Sequence, residues 1–304
     1  MAFTAQDVKT LRERTGCGMM DCKKALSQTD GDMEKAIDVL REQGLAKAAK
    51  KASRIAAEGV ACAFANDEGT VGVAIEVNAE TDFVAKNAEF QAFVKTVADT
   101  VIAEAPADVA ELLTKKAAGT EMTVAELLQE KIQTIGENII IRRFARYEGT
   151  VATYIHAGGK IAVMVKFDTD VADKDEFKVY AKDIAMQVAA AAPSYLNRTQ
   201  VPDEVLEHEK KIMTEQMINE GKPADKVERI VMGKIGKYYE ENCLIDQVFV
   251  KDSKVKVDQY TNQTAKALGG KIAIVDFVRF EKGEGLEKRE DDFAAEVAAA
   301  VAGK

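Results

Sequence analysis

Few residues in this chain are equipped for covalent chemistry, and they are scattered. The two histidines, His156 and His208, lie far apart, and neither has a Cys or another His beside it. That spacing argues against a zinc site and against a Ser-His-Asp or Cys-His catalytic group. Cys17 and Cys22 are five apart with no basic residue between them to favour a thiolate. Glu80 and Asp82 could be imagined as paired carboxylates, but nothing near them in sequence offers a metal or a nucleophile. No GxxxxGK[ST] motif and no strand-GxGxxG-helix unit occurs, and Leu268-Gly269-Gly270-Lys271 leads into a strand rather than a helix. No cofactor, metal site or enzyme activity is therefore expected. What remains is chemistry of contact. Thr81-Asp82-Phe83-Val84 sets an aromatic beside a carboxylate between two predicted elements. In one reading Thr81 or Asp82 caps the next helix and Phe83 is buried as a staple against Phe90. In the other, Phe83 is a rigid apolar wedge with Asp82 adding polar contacts at its rim. Gly16-Cys17-Gly18-Met19-Met20 is similarly double-edged: a tight turn with core methionines, or a soft surface for a partner.

The elements that must position these residues can be read from pattern. The 304 residues are 47% hydrophobic and 31% charged, with only 4 Pro and 20 Gly, a folded composition long enough for several small domains. The net charge of -9 disfavours direct nucleic-acid binding. No apolar run reaches membrane-helix length, and MAFTAQDVKT has no basic head followed by an apolar stretch, so neither a membrane span nor a leader is expected. Four cysteines are too few for a disulfide scaffold, and reduced thiols fit a cytoplasmic protein.

Residues 1 to about 45 read as three short helices. Thr4 caps the first, which stops at the Gly16/Gly18 pair; the second begins at Met19; Asp30-Gly31-Asp32 turns into the third, with Met33, Ala36, Ile37 and Leu40 on one face and Gly44 as a C-cap. LAKAAKKASRIAA (45–57) then reads as a helical linker rich in Ala and Lys.

The middle of the chain is a duplication. With Glu58-Gly59 laid on Glu148-Gly149, Phe64 falls on Tyr154, Gly69 on Gly159, Val71 on Ile161, Val73 on Val163 and Ile75 on Val165. Each segment alternates around a turn as a β-hairpin does, and a helix follows each, from 87 to about 103 and from 174 to about 192. IGENIIIRRFARYE (135–148) aligns with LGGKIAIVDFVRFE (268–281) as a closing strand. The prediction is a multidomain α+β protein whose core is two small antiparallel sheets with helices on one face. The first copy is longer by three residues between hairpin and helix, inside 77–84. The second is longer by 46 between helix and last strand, enough for two helices meeting at Gly221-Lys222-Pro223 and running antiparallel. Their apolar stripes are Val205, Ile212, Met213 and Met217, and Val227, Ile230, Val231, Ile235 and Tyr238. A final amphipathic helix is expected over 285–304, with Phe293, Val297 and Val301 four apart.

Three stretches, LRERTGCGMMDCKKAL (11–26), EVNAETDFVAKNAEFQAF (76–93) and YIHAGGKIAV (154–163), resemble the bacterial elongation factor Ts family, as does the C-terminal FVRFEKGEGLEKREDDFAAEVA (277–298). The resemblance implies a guanine-nucleotide exchange factor for EF-Tu. It divides the chain into a ubiquitin-associated-like three-helix module with its linker (1–55), core subdomain N (56–147), core subdomain C (148–202 and 245–284), a helical hairpin arm (203–244) and a C-terminal helix (285–304). By the same resemblance Thr81, Asp82, Phe83 and Val84 dislodge Mg²⁺ from GDP-bound EF-Tu, with Asp82 and Phe83 entering between its helices. His156 would touch its third domain, and Met19, Met20, Phe293 and Val297 would hold its nucleotide domain. The arm would pair two copies in members that dimerise. An adaptor without exchange activity, using the N-terminal module and the arm, is the competing reading from another class.

Overall fold

A computed structural model describes residues 3–287. The predicted C-terminal helix, with Phe293 and Val297, lies outside the described residues. The start of the chain shows how local chemistry sets the elements. Thr4 accepts from the Asp7 amide while the Asp7 carboxylate accepts from the Thr4 amide at 2.7 Å, a capping box that opens α1 (Ala5–Thr15). Gly16 closes α1 in the left-handed conformation, φ 66°, which costs a glycine little. α2 (Met19–Gln28) follows, and Asp32 caps α3 by accepting from the Lys35 amide. Val8, Leu11, Cys17, Cys22, Ala25, Leu26, Ala36 and Leu40 form the buried centre of this module.

Two expectations fail here. α3 runs from Met33 to Lys51, so Gly44 is inside the helix and most of the supposed linker is its continuation. Gly44 is buried: a Cβ there would displace the Gln133 side chain, whose amide donates to Cys17 Sγ at 3.1 Å. This glycine therefore serves close approach rather than chain termination. The methionines are not core either: Met19 and Met20 are 54% and 73% exposed.

The order hairpin, helix, closing strand occurs twice along the chain. The first copy comprises β1 (Glu58–Ala65), β2 (Val71–Ala79), the single turn α4 (Asp82–Ala85), α5 (Ala88–Glu104), α6 (Val109–Thr114), α7 (Val124–Ile135) and β3 (Ile140–Glu148). The second comprises β4 (Thr150–His156), β5 (Ile161–Thr169), α8 (Asp175–Ala191), α9 (Asp203–Asn219), α10 (Ala224–Asn242), the short β6 (Val248–Phe249) and β7 (Asp252–Lys256), α11 (Val257–Leu268) and β8 (Ile272–Glu281). The sheets have matching orders, β1-β2-β3 and β4-β5-β8, with β6-β7 a separate pair. β4 and β5 are antiparallel, Thr150 opposite Phe167 and His156 opposite Ile161. Backbone peculiarities recur at aligned positions. Gly59 and Gly149 have φ 104° and 108°, and α5 and α8 both end on an alanine with positive φ, Ala105 at 46° and Ala192 at 43°.

The chain divides into two compact units, residues up to 60 with 76–144 and the segment from 281, and residues 61–75 with 145–280. In the first, Phe90, Phe93, Val94, Val97 and Val101 form the buried face of α5. In the second, Phe167, Phe177, Tyr180, Ile184 and Val188 lie between sheet and helix, and the Tyr180 hydroxyl hydrogen-bonds Thr261 at 2.8 Å. α9 and α10 pack on each other through Met217, Val227, Val231 and Ile235, with Tyr239 rather than Tyr238 at the next helical position. At their base, Arg198 forks onto the Asp246 carboxylate at 2.6–3.0 Å and stacks 5.0 Å from the Tyr239 ring.

Candidate contact site

The three extra residues of the first copy form a structured turn. Eight residues separate β2 from α5 and five separate β5 from α8, and the longer connection contains α4. Thr81 stands at the N-cap of α4 and makes no capping bond; its hydroxyl donates to Glu137 Oε1 at 2.6 Å. Glu137 Oε2 accepts from the amides of both Glu80 and Thr81 at 3.0 Å. In return, Glu80 Oε1 accepts from the Asn138 amide at 2.6 Å. Glu80 is therefore committed to holding backbone and to an ion pair with Arg54, not to acid–base work. Val84 is buried and anchors the turn, and Asn87 caps α5 by accepting from the Glu89 and Phe90 amides.

With its base held this way, the turn presents Phe83 outward at 80% exposure, while Phe90 is fully buried. The staple reading fails: Val84 fills the inward position, and one residue earlier on a helical turn points about 100° away. Beside the ring, Lys86 pairs with Asp82 at 2.7 Å, and its Nζ lies 6.0 Å from the ring centroid. The hydrogen bond from Lys86 holds the Asp82 carboxyl below its usual range, so the tip is an exposed aromatic flanked by an ionised, accessible carboxylate. An exposed phenyl loses little rotamer freedom on contact and contributes about 25 cal/mol for each Å² it buries.

The other predicted contact residues are separate from this turn in sequence and element. Met19 and Met20 begin α2, whose N-terminus has no side-chain cap. His156 ends β4, where Nδ1 lies 3.1 Å from the Tyr154 hydroxyl, and it is exposed. No group of three or more metal-ligating side chains occurs among the described residues.

Several residues that matter to this site were missed by pattern reading. Glu76, on β2 and fully buried, accepts from Arg142 at 2.9 Å, Arg143 at 2.6 Å and the Gly283 amide at 2.8 Å. Burial alone would raise its pKa, but Gly283, Arg142, Arg143 and Asn78 outweigh it, and the carboxyl is held below the usual 4.5. A charged residue in the middle of an apolar strand was its one available signal. For Glu137 the signal was the repeat itself, where IGEN of the first copy faces LGGK of the second.

The site is thus an apolar tip on a clasped turn, displayed by a duplicated α+β scaffold. Comparison with known proteins gives this scaffold its family. The family described as Elongation factor TS matches residues 80–284. The chain is 50% identical to Elongation factor Ts of Trichlorobacter lovleyi, covering 99% of both chains. It is 50% identical to Elongation factor Ts of Clostridioides difficile over 97% of this chain and 98% of the relative. It is 49% identical to that of Clostridium kluyveri over 99% and 100%. The chain belongs to the elongation factor Ts family, a family of translation elongation factors.

Proposed function

We propose that the protein is the guanine-nucleotide exchange factor of EF-Tu, and that the turn of Thr81, Asp82, Phe83 and Val84 dislodges Mg²⁺ from the GDP-bound partner. The observation that carries this reading is the 80% exposure of Phe83 on a turn whose base is held by Glu137 and whose Val84 is buried. A ring kept in water by its own fold has its burial energy available for a partner.

The mechanism is coupling without covalent chemistry. A nucleotide held at about nanomolar affinity represents ~12 kcal/mol, and unaided release must surrender nearly all of it in one step. A factor that binds the empty partner more tightly than the loaded one weakens nucleotide binding, and the nucleotide reciprocally expels the factor. The bound Mg²⁺ is the largest local positive charge on the phosphates, so displacing it removes much of what holds them. Phe83 supplies contact realised only once the metal site is distorted, and the Asp82 carboxylate repels phosphate while competing for donors around it. The rest of the interface meets the remaining cost. Exposed Met19 and Met20 support a contact through the ubiquitin-associated-like module, and exposed His156 supports one through the second hairpin. Phe293 and Val297 would add to the hold on the nucleotide domain. On the α9–α10 pair, Ile218 and Met232 are 59% and 61% exposed, which supports an arm that pairs with a second copy.

Stopped-flow release of fluorescent GDP from EF-Tu tests the proposal. The protein should accelerate release, and Phe83→Ala should slow the accelerated rate at least about tenfold, about 1.4 kcal/mol, without changing the circular dichroism spectrum. Binding without acceleration would leave the adaptor reading standing instead.

A further inference from the structure

Comparing the two copies isolates one residue. In the second copy, Asp170 Oδ1 accepts from the Lys271 amide at 2.6 Å. In the first, Glu80 Oε1 accepts from the Asn138 amide at 2.6 Å. These are equivalent bonds at aligned positions: each joins the end of the hairpin's second strand to the start of the closing strand. In the second copy the Thr169 hydroxyl also donates to the Lys271 carbonyl at 2.7 Å, and no carboxylate from the closing-strand side takes part. The reciprocal bonds exist only in the first copy. Glu137 accepts from the amides of Glu80 and Thr81 and from the Thr81 hydroxyl. Its counterpart is Gly270, where even a Cβ would collide with Val171 and Asp170.

The added carboxylate thus coincides with the added turn. Its three accepted bonds all fall on the two residues leading into α4, two positions before Phe83. They tie down the residue at the N-cap of α4, whose own hydroxyl makes no capping bond. Glu137 is itself placed by Gly136, the left-handed residue closing α7 at φ 89°, so the aim of Phe83 is referred to the end of a packed helix. A turn of four residues has too few internal hydrogen bonds to hold its own orientation.

We propose that Glu137 is a positioning residue for nucleotide release, acting through Thr81 to aim Phe83; the inference rests on the wedge reading above. A residue of this kind should change the rate of the step that needs an aimed wedge more than it changes partner affinity. The test uses the full chain with Glu137→Ala and Thr81→Val, and fluorescent GDP on EF-Tu as the probe. Both variants should lower the maximal release rate about three- to tenfold with less than a twofold change in the half-saturating concentration. Thr81→Ser, which keeps the hydroxyl, should recover most of the rate lost in Thr81→Val. In a Phe83→Ala background, Glu137→Ala should have no further effect. Without any partner, hydrogen exchange at the Glu80 and Thr81 amides should speed up in Glu137→Ala. An equal slowing in the Phe83→Ala background, or a change confined to half-saturation, would overturn the assignment. So would an unchanged rate for Glu137→Ala where Phe83→Ala is slow. An unchanged rate for Phe83→Ala itself would instead sink the wedge reading and this inference with it.

Discussion

The two copies of the core start from the same plan and spend their differences in opposite places. The first inserts one helical turn between hairpin and helix; the second inserts a pair of long helices between helix and closing strand. A small insertion beside a strand end stays close to the sheet, so its side chains can be clasped and aimed. A long insertion must make its own core, as Met217, Val227, Val231 and Ile235 do. One scaffold therefore carries a short, precisely held tip and a long, self-supporting arm. The duplication shows which features belong to the scaffold and which to the tip. The shared hairpin glycines and the alanines ending α5 and α8 are scaffold; Glu137 and α4 are not.

The largest effect should come from erasing the difference. Deleting Asp82, Phe83 and Val84 gives the first copy the spacing of the second, and stimulated GDP release should fall about a hundredfold or more, about 2.7 kcal/mol. Release at the wild-type rate from a folded deletion variant would show that the added turn is irrelevant.

Next comes Glu76, whose aligned residue in the second copy is the partly exposed Lys166. Glu76→Gln leaves Arg142 and Arg143 facing a neutral group and should cost about 3 kcal/mol of stability, whereas Lys166→Gln should cost under ~0.5 kcal/mol. Because the folded Glu76 carboxyl titrates below its usual 4.5, its contribution is complete above that value and disappears as pH falls through the folded pKa. Denaturant melts from pH 6 down to pH 3 should show the gap between wild type and Glu76→Gln constant at first, then closing in acid. A gap that widened on acidification would refute the charge assignment.

The smallest effect probes the shared scaffold. Ala105 and Ala192 hold left-handed conformations that cost a non-glycine residue roughly 1–2 kcal/mol. Ala105→Gly and Ala192→Gly should each raise stability by about 0.5 kcal/mol, the relieved strain being partly offset by unfolded-state entropy. Two changes of opposite sign, measured by thermal melting, would deny that the copies share this joint.

Much of the fold could be read from single stretches of chain. Alternation revealed both hairpins, the 3.6 period revealed α1, α2, α5, α8, α9 and α10, and Thr4 and Asp32 are caps legible from residue type, whereas Asn87, and not Thr81 or Asp82, caps α5. The candidate site was half legible: Thr81–Val84 stood out because one copy was longer there, but whether Phe83 turned inward or outward was open. Gly44 was misread because a glycine after an apolar stripe resembles a helix stop, and only the nearness of Gln133 explains why the helix continues through it.

From the amino acids alone came the element types, the repeat and the place where its copies diverge, because these follow from patterns spanning a few residues and from comparison of the chain with itself. The outward aim of Phe83, the three bonds accepted by Glu137 and the buried charge of Glu76 were decided by tertiary structure. Each depends on partners more than fifty residues away, and no local propensity encodes which carboxylate will meet which amide once the strands and helices have packed.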